Sequence, residues 1–100
     1  MDKNELILKT KQKIDEIKEK ISELKEKANE NTSQDIKDQS NKLIGELEEI
    51  SEDIQKQYSS LGLPENQDNP KVTEIEKNIY NGIRTFDSAF TRAGSIFQTH

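Results

Sequence analysis

The chain has no cysteine, no tryptophan, one histidine at its last position, two prolines and four glycines in 100 residues. Without cysteine there can be no disulfide and no thiolate metal site, and nothing marks a redox compartment. With His100 as the sole imidazole and no cysteine, no internal Ser–His or Cys–His pair is available, and the Glu-x-x-His element of helical di-metal sites is missing. Gly45, Gly62, Gly82 and Gly94 stand alone, so no glycine cluster cradles a phosphate. The longest apolar run, Leu6-Ile7-Leu8, falls far short of the ~20 residues that span a bilayer. Residues Met1 to Glu5 lack the apolar core and small-residue cleavage site of a secretory signal. These absences predict a non-enzymatic chain with no cofactor, no metal and no membrane span. A cytoplasmic location is expected, with signal-less export as the alternative.

Charge is abundant and apolar surface is not. Charged residues make up 35% and apolar residues 29%, against roughly 45–50% apolar (glycine included) in ordinary soluble domains. A thick interior is out of reach at that ratio. Long helices meeting along narrow seams need fewer apolar positions. The net charge of −5 argues against nucleic acid as a partner, because phosphate binding needs a basic face.

Two polar stretches, Asn29 to Ser33 and Gly62 to Pro70, cut the chain into three segments. In the first, Ile7, Ile14, Ile21 and Ala28 recur every seven residues, interleaved with Thr10, Ile17 and Leu24. In the second, Ile36, Leu43 and Ile50 alternate with Ser40, Leu47, Ile54 and Leu61. Gln57 interrupts that seam, while Ile44 and Tyr58 widen it. Thr32 or Ser33 can cap this helix, and Gly62 with Pro64 should stop it. Gly45, inside the helix at a cost of ~1 kcal/mol relative to alanine, is expected to mark a close helix contact. In the third, Asn69 is the expected cap, with Pro70 at the first helical position. Short connections favour antiparallel neighbours. The pattern therefore predicts one all-α domain over 1–100, an antiparallel up-down-up three-helix bundle with coiled-coil-like heptad packing. Its helices are expected at about 3–28, 33–61 and 71–97.

Most chemistry-bearing patterns have plain explanations. Glu46, Glu48, Glu49, Glu52 and Asp53 crowd two turns but fall outside the Leu43/Leu47/Ile50/Ile54 seam, as a solvated acidic face would. The third segment is the feature that points to function. At about 100° per residue, Ile79, Ile83, Phe86, Phe90 and Phe97 share an arc of about 60°. Gly82, Ala89, Ala93 and Ile96 form an adjacent strip of mostly small side chains. The phenylalanines are expected to be core. The excess width of the face predicts that the small strip, rimmed by Arg84 and Arg92, meets a partner helix or a second copy, making a homodimer.

Two functions follow as expectations: a helical interaction or adaptor module, or a small signal-less secreted, assembly-forming helical protein. Size and helical organisation fit the general profile of small ESX-type secreted proteins, but the motifs do not. There is no Trp-x-Gly turn, and Tyr58 and Tyr80 are followed four residues later by Gly62 and Arg84, where an acid would be required.

Overall fold

The computed structural model describes residues 3–63, 65 and 68–98. The chain is all-α, with three long helices, α1 (Lys3–Glu30), α2 (Gln34–Ser60) and α3 (Asn69–Gln98), and no strand among the described residues. They assemble into a narrow three-helix bundle measuring 51 × 19 × 16 Å. At about 1.5 Å per residue, each helix runs most of that length.

The helix ends follow from local chemistry. Asn31 accepts from the Ser33 N–H at 2.9 Å, shaping the α1–α2 turn. Ser33, in extended backbone conformation, caps α2 by accepting from the Ile36 N–H at 3.4 Å. α2 ends in tight i to i−3 turns, with Gly62 N–H donating to Ser59 and Leu63 N–H to Ser60. Gly62 keeps a negative φ, so the stop does not use glycine's left-handed freedom. Pro64, the other expected element of that stop, lies outside the described residues. α3 starts earlier than the sequence pattern indicated. Asp68 supplies a capping oxygen, accepting from the Lys71 N–H at 3.1 Å.

The buried residues of α1 are Leu6, Thr10, Ile14, Ile17, Ile21, Leu24 and Ala28, spaced three or four apart. They match the expected seam except at its start, where Leu6 is buried and Ile7 only partly so. In α2 the row Ser40, Leu47, Ile54, Leu61 is buried as expected. Its companions are Ile44 and Ser51 instead of Leu43 and Ile50, which sit half-buried on the flank. Burying two hydroxyls is tolerable because both are satisfied. Ser40 donates to the Lys37 carbonyl at 3.1 Å, and Ser51 accepts from the Gln55 amide at 3.0 Å.

The main cluster joins Ile14, Ile17, Ile21 and Leu24 of α1 to Ile44, Leu47 and Ile54 of α2 and to Phe86, Ala89 and Ala93 of α3. A smaller one gathers Leu6, Leu61, Ile75 and Ile79. Three ion pairs, Lys11–Asp15, Lys13–Glu16 and Lys25–Glu48, lie on the surface. Asp15 raises the Lys11 pKa, chiefly by its hydrogen bond and then by its charge. Exposed pairs of this kind contribute little to stability, since solvent screens them.

Glycine usage separates two roles. A Cβ on Gly45 would meet nothing within 4 Å, so the expected close contact there does not exist. The close contact is at Gly82, where a Cβ would fall 2.7 Å from Ile54 Cγ1. Gly45→Ala is therefore expected to stabilise the bundle by about 0.5–1 kcal/mol in urea unfolding, through helix propensity alone. Gly82→Ala should destabilise it by about 1–3 kcal/mol, because the buried Ile54 must give way. Equal effects at the two sites would contradict this packing.

Candidate functional site

The three helices do not meet evenly. α3 lies most extensively against α2 and least against α1. The reason is legible in the side chains. Gly82 lets α3 come close to Ile54, and Ala89 and Ala93 keep the adjoining surface low, at 2% and 1% exposure. Drawn toward α2, α3 leaves a groove along its other flank. Toward the Glu30 end of α1 this groove has a volume of about 550 Å³ and is floored by Leu24, Phe90, Gly94 and Phe97. Lys27, Glu30 and Asn31 form its α1 rim.

This arrangement redistributes the ten residues that the sequence singled out. Phe86, Ala89 and Ala93 are interior, packed among α1 and α2 side chains of the same chain. Gly82 is spent on the α2 contact. The small strip thus faces inward, contrary to the sequence expectation that it meets an outside partner. Ile96 is half-buried, and Arg84 and Arg92 are exposed. Ile83, Phe90 and Phe97 are partly buried at the edge of the core, and Phe90 and Phe97 line the groove. Phe90 stacks on Phe86, with ring centroids 6.0 Å apart and planes 16° from parallel. Its outer side is met by the Lys20 ammonium, 5.2 Å from the ring centre, a cation–π contact.

Sequence reasoning missed the α1 half of this groove: Lys20, Leu24 and Lys27. The signal was present, since lysines at 13, 20 and 27 recur with the same period as Ile83, Phe90 and Phe97. It could be found only by pairing the two helices, not by reading either alone.

Other surfaces offer less. A hollow of similar size bordered by Asp15, Glu19, Glu23 and Glu26 is lined by α1 only, and is the outer side of one helix. Between α1 and α2, a smaller cleft is crossed by the Lys25–Glu48 pair at 3.3 Å. Glu46, Glu48, Glu49, Glu52 and Asp53 are all exposed. No group of acids or histidines among the described residues could hold a metal ion, and no described helix is long and apolar enough to cross a membrane. No protein-family model, curated protein or solved structure matches the chain.

Proposed function

We propose that the chain is a non-enzymatic helical interaction module that holds a partner helix in the α1/α3 groove. The observation that carries this reading is the pair Phe90 and Phe97. Both rings lie in an open groove while the bundle's interior is already closed by Phe86, Ala89 and Ala93. An amphipathic helix buries its apolar stripe in such a groove by the packing that joins the three helices already present. The up-down-up course and coiled-coil style of packing belong to the same reading. The gathering of Leu6 with Leu61, Ile75 and Ile79 supports the first, and the three-and-four spacing of buried residues supports the second.

The test uses a labelled three-heptad peptide with a leucine seam and uncharged glutamine flanks, titrated with the protein and followed by fluorescence anisotropy. Binding is expected, weakened at least about tenfold by Phe97→Asp, since one buried aromatic contact is worth well over 1.4 kcal/mol. Arg84→Ser, on the outward surface, should leave it unchanged. Absence of binding, or binding indifferent to Phe97→Asp, would overturn the proposal.

A further inference from the structure

The groove has a chemical polarity that narrows its occupant. Lys13, Lys20 and Lys27 recur every seven residues on α1, and Ile83, Phe90 and Phe97 do so on α3. One register links the two rows. Lys20 sits on Phe90 and Lys27 lines the groove with Phe97, and the same sequence offset separates Lys13 from Ile83.

Where two helices close against each other by charge, a lysine row on one stands opposite carboxylates on the other. Here it stands opposite apolar side chains. Among the described residues, Lys13 pairs with Glu16 on its own helix at 3.4 Å, and neither Lys20 nor Lys27 reaches a carboxylate. Among the described residues, Glu30 at the groove's end is the one acid lining it. The chain is acidic as a whole, yet Lys20 and Lys27 both stand at this apolar edge.

We infer that the groove selects a helix whose apolar seam is flanked by carboxylates at seven-residue intervals. The seam covers Phe90, Phe97 and the edge of Ile83, and the carboxylates meet Lys20 and Lys27. Docking exchanges the Lys20–Phe90 contact for an ion pair at the rim, where such pairs set orientation and partner choice. A second copy seated groove to groove with α1 against α1 is disfavoured by the same feature, since that arrangement would bring the lysine rows together. The inference rests on the docking reading above and adds the partner's charge to it.

Three peptides with one leucine seam and glutamate, glutamine or lysine flanks separate the two claims. With the intact protein at low salt, the glutamate peptide is expected to bind about tenfold tighter than the glutamine peptide, as two rim ion pairs allow. The lysine peptide should bind weakest. Raising salt should compress the differences. The Lys20→Glu/Lys27→Glu variant should reverse the order. Equal affinity for all three peptides at low salt would overturn the charge selection and leave docking standing. If none bound, both would fall. Should the double variant fail to fold, judged by circular dichroism, the order and salt dependence on the parent protein still decide.

Discussion

Replacing Phe86 by alanine is expected to remove about 3–5 kcal/mol of unfolding free energy. The side chain is fully enclosed, at 0% exposure, where all three helices converge. Its loss leaves a cavity among the three helices that their close packing can fill only in part, and it deprives Phe90 of its stacking partner. A domain of this size commonly has only about 5–15 kcal/mol in total, so the variant should lie near its unfolding midpoint at modest urea concentration. Urea titration followed by far-ultraviolet circular dichroism measures this directly. A loss below 1 kcal/mol would mean that Phe86 does not sit in the common core.

Ala93→Glu should be at least as damaging. Ala93 is 1% exposed on the strip where α3 enters the interior. Glutamate there adds volume to a filled site and a carboxylate to an apolar one, and an unpaired buried charge costs several kcal/mol. The variant is expected to lose most of its helical signal at room temperature. It also distinguishes two orientations of α3. If the small strip faced outward, as the width of the apolar face in the sequence suggests, Ala93→Glu would fold normally and disturb association instead.

The contrast between these variants shows where the sequence was informative. Helix number and approximate extent were legible because the break at 29–33 is wholly polar and the break at 62–70 holds both prolines and Gly62. The α1 seam was legible because every residue from Thr10 to Ala28 at three-and-four spacing is buried. In α2, the heptad reading followed apolar character and chose Leu43 and Ile50, whereas Ile44 and Ser51 are buried. Each helix of a three-helix bundle faces two neighbours, so its buried arc has two edges, and a serine bonded within its own helix can occupy one. At Leu6 the spacing simply stays at four, as expected where a straight helix drifts from a strict seven-residue repeat.

The groove was harder to see because its existence depends on an inequality between helix pairs. Nothing in α3 alone says that its small residues will face α2 and its outer phenylalanines α1. That outcome follows from the close approach at Gly82, which places a glycine backbone against Ile54. Gly45 and Gly82 look alike in sequence, and only their surroundings separate them.

If one chain closes its own core and leaves the α1/α3 groove for a different helix, the protein is a monomer in solution. Absolute mass by light scattering on a sizing column, over a wide concentration series, tests it most directly. Elution volume alone would mislead for a body 51 Å long and 16 Å thick. The expected value is 11.5 kDa at every concentration. A stable dimer or larger species would contradict it, and would mean that a second copy already fills the groove.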